Sequence, residues 1–189
     1  NLAQVKELEE AGCEIVRMAV PDMESVKVLG RLKENTNIPL VADIHFDYRL
    51  ALESLKAGVD KIRINPGNIG SAERVAAVAD ACNLKNVPIR IGVNSGSVEK
   101  DLLEKFGGAT PEAMVESAFH HVKLREDCGF YNTVISIKSS DVENMVKAYS
   151  LVAERCDYPL HLGVTEAGTE RSSLIKSSIG IGSLLLNGI

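Results

Sequence analysis

Residues 56–97 read KAGVDKIRINPGNIGSAERVAAVADACNLKNVPIRIGVNSGS and decide the fold class. Apolar residues alternate with other residues in Lys61–Asn65 and in Pro88–Asn94, as is typical of β-strands. Between them, Ser71–Asn83 follows helical spacing and opens with a serine suited to cap a helix. A strand, a helix and a second strand in succession predict a βαβ unit with parallel strands.

The same alternation extends along the whole chain. Predicted helices separate the predicted strands, and an insertion at Val98–Ala109 precedes a long helix that begins near Thr110. Six segments are predicted to be strands: Cys13–Val20, Ile38–His45, Lys61–Asn65, Pro88–Asn94, Thr133–Lys138 and Pro159–Thr165. The chain is therefore predicted to be an α/β protein with a parallel sheet.

The two faces of these strands differ in polarity. One face is apolar throughout, as at Ile62 and Ile64, whereas the other carries polar residues towards the strand ends, as at Arg63. A doubly wound sheet is apolar on both faces. One polar face therefore predicts a (β/α)8 TIM-type barrel with its site at the C-terminal ends of the strands. We expect residues 1–189 to form one barrel domain, incomplete at both ends, with about six of its eight strands.

Composition excludes several classes of protein. The chain has 189 residues, of which 45% are hydrophobic and 25% charged, and a net charge of −5. These values are ordinary for a globular domain and offer nucleic acid or an anionic membrane no general attraction. No apolar run is long enough to cross a membrane, and we expect the protein to have no secretory leader. Four widely spaced cysteines predict reduced thiols, no metal site and a cytoplasmic location.

Four permanent cations lie on the polar face of four different predicted strands: Arg17, Arg63, Arg90 and Lys138. A single arginine at a strand end is usually half of a salt bridge. Four cations on one face repel each other unless an anion lies among them, and only Asp43 and Glu166 are placed to neutralise two. The pattern predicts a site for a ligand with several negative charges, such as a phosphate compound.

Histidines and small turns complete this reading of the residues. Asp43 and His45 share a face, either as acid and base or as a hydrogen-bonded orienting pair. His161 is predicted in the core, and His120 and His121 on the surface of a helix. The turns at 65–70 and 92–97 are glycine-bearing and precede helices, where backbone N–H groups bind oxyanions.

Five segments of the sequence indicate a family more specifically than the patterns of charge and polarity do. They are VADIHFDY at 41–48, KIRINPGN at 61–68, IRIGVNSGS at 89–97, IKSSD at 137–141 and LGVTEAG at 162–168. In their order and spacing the chain resembles the 4-hydroxy-3-methylbut-2-enyl diphosphate synthase family, the iron–sulfur enzymes of the non-mevalonate isoprenoid pathway.

The resemblance implies a substrate, a reaction and partners. The substrate is 2-C-methyl-D-erythritol 2,4-cyclodiphosphate, which is opened and loses a hydroxyl in a two-electron reduction. Electrons come from ferredoxin or flavodoxin, and two chains form a homodimer. A [4Fe–4S] cluster lies in a C-terminal iron–sulfur domain absent from this chain, so this chain alone is expected to hold no cofactor or metal and to be inactive.

The resemblance also implies a role for each candidate residue. Glu166 is the acid, while Asp43 and His45 contact the polyol or orient the basic groups. The expected substrate-binding residues are Arg17, Arg63, Asn65, Arg90, Asn94 and Lys138. Two alternatives remain open: a pterin- or phosphate-binding barrel of the dihydropteroate synthase kind, and a module that binds without chemistry.

Overall fold

The computed structural model describes residues 2–64 and 72–189. Its strands are β1 (Val16–Ala19), β2 (Leu40–Ile44), β3 (Lys61–Ile64), β4 (Ile89–Asn94) and β5 (Thr133–Lys138). Its helices are α1 (Leu2–Glu10), α2 (Met23–Asn35), α3 (Tyr48–Lys56), α4 (Ala72–Lys85), α5 (Lys100–Phe106), α6 (Pro111–Glu126), α7 (Val142–Ala153) and α8 (Glu170–Leu186). A short 3₁₀ turn spans Ser95–Ser97. No described helix has both the length and the apolar character needed to span a bilayer.

The strands form a sheet in sequential order, from β1 to β5. β1 pairs with β2 and β2 with β3, both in parallel. The register aligns Arg17 with Val41 and Val41 with Lys61, and one row further along it aligns Asp43 with Arg63. The predicted α/β fold with a parallel sheet is confirmed.

The chain divides into two compact units, Asn1–Arg90 with Leu124–Asn132, and Ile91–Lys123 with Thr133–Ile189. The first has a core in which apolar residues of β2, such as Leu40 and Ile44, pack against α2 and α3. The second has its own core, in which Ile135 and Ile137 of β5 pack with Met145 and other residues of α6 and α7.

Side-chain caps start a helix within a few residues of the ends of β2 and β5. Asp47 follows β2 and accepts a hydrogen bond from the backbone N–H of Arg49 at 3.0 Å, which starts α3. Asp141 follows β5 and accepts from the N–H of Asn144 at 2.8 Å, which starts α7. Such caps satisfy N–H groups that the first helical turn leaves without partners. Residues just beyond the strands, including His45, are thereby held close to the strand ends.

The sixth predicted strand, Pro159–Thr165, is reduced to one bridge between Ile135 and Leu160. The hydroxyl of Tyr149 explains the interruption. It accepts from the N–H of Ile137 at 3.0 Å and donates to the carbonyl of His161 at 2.6 Å. These are the two groups that would bond directly if the ladder continued. The segment still lies beside β5, since Thr165 N–H donates to Ser139 O at 3.2 Å.

Candidate functional site

Asp43 is the centre of the charged group in the first unit. All five residues of β2 are buried, so the carboxylate of Asp43 sits in an apolar strand with only 7% of its side chain exposed. Arg63 on β3 donates to Asp43 Oδ1 at 2.8 Å and is itself only 11% exposed. The register explains this contact, because it places the two residues opposite each other. A charge-assisted hydrogen bond this well buried fixes both side chains.

Two further basic groups approach the other oxygen of the same carboxylate. Arg17 Nε lies 3.6 Å and His45 Nε2 lies 3.5 Å from Asp43 Oδ2. Their side chains are 51% and 45% exposed. Asp43 therefore holds the buried Arg63 tightly and the half-exposed Arg17 and His45 loosely. The remaining donor groups of Arg17 and His45 can bind solvent or a ligand.

Arg90 and Lys61 add two more cations to this unit. Arg90 on β4 is buried at 4% exposure. The bond from Ile62 N–H to the carbonyl of Pro88 sets the parallel register and places Arg90 opposite Arg63. Burial lowers the pKa of Lys61, and the nearby positive charge of Arg90 lowers it further. Lys61 is a charged residue that the sequence reasoning missed, although its spacing of two from Arg63 signals the shared face.

The charge balance of this group is strongly positive. Arg17, Lys61, Arg63 and Arg90 share one face of β1, β3 and β4, and the carboxylate of Asp43 on the same face contacts Arg17 and Arg63. Arginine presents donors in a fork that matches phosphate oxygens, and lysine adds a point charge. The arrangement is suited to bind a compact polyanion.

Lys138 and Asn94 lie in the second unit, at the ends of β5 and β4. Lys138 passes close to the backbone of Gly163: a Cβ built there would lie 3.0 Å from Lys138 Cε and 3.3 Å from its Nζ. A side chain at 163 would therefore require the end of Lys138 to shift by a few tenths of an ångström. Asn94 is held by Ser97, whose hydroxyl bonds both the N–H and the carbonyl of Asn94 at 3.1 Å.

Glu166 is exposed and has a φ of 49°, in the left-handed region that non-glycine residues adopt at a cost. The neighbouring backbone is held, because Ser172 of α8 donates its hydroxyl to the carbonyl of Ala167 at 2.9 Å. A non-glycine residue kept in such a conformation is a feature that functional sites often share.

Three expectations about other residues have different outcomes. Asn65 lies outside the described residues. His121, predicted on the surface, is buried and lies 2.6 Å from Glu99 Oε1. The spacing of His121 from the buried Met114 and Ser117 of α6 is the helical signal that would have found it. His161, predicted in the core, is exposed, because the ladder is interrupted beside it.

The described residues of this chain do not fit an iron–sulfur cluster. Within the ranges 2–64 and 72–189, no three His, Cys, Asp or Glu side chains are grouped so that they could hold a metal ion. The four cysteines are separate free thiols. Burial raises the pKa of Cys82 to about 12, against a smaller opposite effect of Arg125, so its thiolate is strongly disfavoured. Cluster iron is ligated by thiolates.

Solved structures of similar fold are TIM-type enzymes. A type I 3-dehydroquinate dehydratase from Clostridium difficile matches with a TM-score of 0.66 at 17% identity, covering 95% of this chain and 74% of that one. A dihydropteroate synthase from Yersinia pestis matches with a TM-score of 0.60 at 17% identity, covering 97% and 75%. At this identity the likeness concerns the fold alone, and the barrel-type α/β fold is confirmed.

Relatives in sequence are much closer. A protein of Clostridium perfringens is 60% identical over 189 residues, covering all of this chain and 54% of the relative. One of Exiguobacterium sp. is 57% identical, covering all of this chain and 51% of the relative. Both bear the name 4-hydroxy-3-methylbut-2-en-1-yl diphosphate synthase (flavodoxin). This chain spans about half the length of the curated relatives it matches.

A family model gives the same result. The model of the GcpE TIM-barrel domain matches residues 1–189, and the relatives above align with the chain from end to end. The five segments singled out from the sequence all lie within that match. The chain therefore belongs to the GcpE family, as its TIM-barrel domain.

Proposed function

We propose that this chain is the substrate-binding barrel of a 4-hydroxy-3-methylbut-2-enyl diphosphate synthase and that it holds 2-C-methyl-D-erythritol 2,4-cyclodiphosphate. The carrying observation is the Asp43 group, in which one buried carboxylate is surrounded by several cations. A cyclic diphosphate is a compact polyanion whose negative charges complement the positive charges of this group. The names of the relatives support the same activity.

Different residues of the chain bind different parts of the substrate. Arg17, Arg63, Arg90 and Lys138 hold the diphosphate, while Asn65 and Asn94 donate hydrogen bonds to it. Asp43 keeps Arg63 in place through the 2.8 Å bond, so that the guanidinium meets the diphosphate in a fixed orientation. His45, which is half-exposed beside Asp43, contacts the hydroxyl groups of the polyol part.

Glu166 is the proposed acid. We expect its carboxyl group, which is exposed just after segment 159–165, to donate a proton to the departing hydroxyl. The reaction as a whole opens the cyclic diphosphate and removes that hydroxyl by two-electron reduction. No step of the reduction is assigned to residues of this chain, and we expect no turnover from the barrel alone.

The reduction needs a redox centre and an electron donor outside this chain. We expect a [4Fe–4S] cluster in the part of the full enzyme that corresponds to the unmatched half of the relatives. Flavodoxin is the expected donor because the relatives carry it in their names, with ferredoxin as the alternative. A homodimer in the cytoplasm completes the proposal.

Titration calorimetry of the 189-residue chain with the cyclic diphosphate tests this function. We expect saturable binding that Arg63→Met weakens at least about tenfold, since a truncated charge contact costs roughly 2–5 kcal/mol. Arg31→Met, which removes an exposed arginine of α2 from the same unit, is the matched control and leaves affinity within about twofold. Absence of binding, or equal losses in the two variants, contradicts the proposal.

The alternatives predict other outcomes of the same titration. A barrel of the dihydropteroate synthase kind binds a pterin in preference to the cyclic diphosphate. A module without chemistry binds the cyclic diphosphate, yet the full-length enzyme supplied with reduced flavodoxin gives no product. The low identity to the dihydropteroate synthase structures, against 57–60% to the named relatives, favours the first proposal.

A further inference from the structure

Lys61 is a charged residue on the polar face of β3 that has no counter-ion among the described residues. Within residues 2–64 and 72–189, no carboxylate lies within ion-pair distance of its ammonium group. The adjacent Asp60 is already occupied: it accepts from Lys33 Nζ at 2.8 and 3.0 Å and from the N–H of Leu40 at 2.7 Å. Asp60 also lies outside β3, which begins at Lys61.

The register places Lys61 directly below the charged row. Lys61 is aligned with Val41, one row before the row of Asp43 and Arg63. Rows on one face are separated by two residues, or about 6.6 Å, which a four-carbon lysine stem can span. Arg90 lies opposite Arg63, so it too stands one row above Lys61 on the same face of the sheet.

Burying a second cation beside Arg90 without a counter-ion is unfavourable, unless an anion occupies the space above it. A structural lysine would be satisfied by a nearby carboxylate, as Lys33 is by Asp60. The half-buried Lys61 is not, and its flexible stem lets the ammonium move towards a ligand.

We propose that Lys61 is a further anion-binding residue of this site, which brings a positive charge to the bound diphosphate from the row below Arg63 and Arg90. This inference rests on the proposed function, because it names a new contact to the same ligand. The proposed contact also explains why a charged residue stands at position 61, where the packing of β3 does not require one.

Calorimetric titration with inorganic pyrophosphate at constant ionic strength tests the contact. We expect Lys61→Met to weaken binding about tenfold, since a half-buried charge is poorly screened. Lys85→Met makes the same change of charge at the exposed end of α4 and is the matched control, with a change below about twofold. Wild-type affinity in Lys61→Met overturns the inference.

The other outcomes separate this inference from the proposed function. If the wild type and Lys61→Met bind equally while Arg63→Met does not bind, the proposed site stands and the role of Lys61 is refuted. If the wild-type chain itself fails to bind pyrophosphate, both fail. Circular dichroism checks folding, and we expect Lys61→Met to melt at or above the wild-type temperature because a like-charge contact is lost.

A charge-retaining variant gives a second readout that does not depend on Lys61→Met folding. Sulfate keeps its charge as pH rises into the alkaline range, so a fall in its affinity there reports a loss of positive charge from the protein. Burial lowers the pKa of Lys61, and the positive charge of Arg90 lowers it further, so Lys61 loses its charge at a lower pH than an ordinary lysine does. Sulfate affinity should therefore begin to fall at a lower pH in the wild type than in Lys61→Arg. Parallel pH profiles in the two proteins also refute the inference.

Discussion

Replacing Asp43 by Asn removes the charge at the centre of the site while keeping the shape of the side chain. Arg63 then remains 11% exposed with its counter-ion lost. Removing one partner of a buried ion pair costs about 3–5 kcal/mol, and the slight exposure here favours the lower end. Arg17 and His45, at 3.6 and 3.5 Å and half-exposed, add at most about 0.5 kcal/mol each. We expect a loss of roughly 3–4 kcal/mol.

Urea unfolding followed by circular dichroism measures this loss. With a slope of about 2 kcal/mol per molar urea, the midpoint of Asp43→Asn should fall by roughly 1.5–2 M. Glu143→Gln breaks the exposed pair with Lys147 on α7 and is the control, expected to cost below about 0.5 kcal/mol. In an Arg63→Met background the cost of Asp43→Asn should drop to about 1 kcal/mol, because the uncompensated cation is gone.

Asp43→Asn, which lowers stability, should have the opposite effect on ligand affinity. Asn at position 43 keeps an oxygen that accepts the hydrogen bond from Arg63, so the guanidinium keeps its orientation while the net positive charge of the site rises. Pyrophosphate should therefore bind the folded variant more tightly and raise its urea midpoint by more than in the wild type. If Asp43→Asn costs no more than Glu143→Gln, or if pyrophosphate stabilises it less than the wild type, then Asp43 does not act as the counter-ion of a cationic site.

Five further outcomes are expected. Tyr149→Phe leaves a buried N–H and a carbonyl without their partner, and should lower the free energy of unfolding by about 1–3 kcal/mol in denaturant titrations; an unchanged midpoint contradicts this role for the hydroxyl. Gly180→Ala should destabilise by about 1–3 kcal/mol, because its Cβ would lie 2.5 Å from a buried methionine and 3.2 Å from a valine. Gly182→Ala, with nothing within 4 Å, should instead stabilise α8 by up to about 1 kcal/mol. A thiol reagent at neutral pH should modify the three partly exposed cysteines of the native chain and reach Cys82 only after denaturation. If the native Cys82→Ser variant has fewer reactive thiols than the native wild type, Cys82 is accessible and this prediction is wrong. For Glu99, burial raises the pKa, but hydrogen bonds and a nearby histidine charge outweigh it, so the pKa lies below its ordinary value. The stabilisation that Glu99 gives is therefore present above its unfolded pKa and lost as pH falls through the folded one; acid titration of unfolding should show a smaller loss in Glu99→Gln, and an identical pH profile refutes this.

The sequence by itself determined which residues share a face. Strand side chains alternate with a period of two, so the spacing from Lys61 to Arg63 and from Asp43 to His45 fixes each pair on one side of its strand. Helical spacing and capping residues likewise determined where the helices lie, and the identities of the candidate binding residues followed from charge on one face. These are local properties, set by the geometry of the backbone alone.

Only the tertiary structure decided which of these charges meet. The sequence placed Arg17 and Arg63 alike, yet the register puts Arg63 opposite Asp43 and Arg17 one row lower, so one is tightly bonded and the other loosely. Register depends on how neighbouring strands pack, which no single strand encodes. The same holds for Tyr149, whose hydroxyl reaches β5 from a helix and ends a predicted strand. Contacts between residues distant in sequence arise from packing in three dimensions, and local patterns carry no record of them.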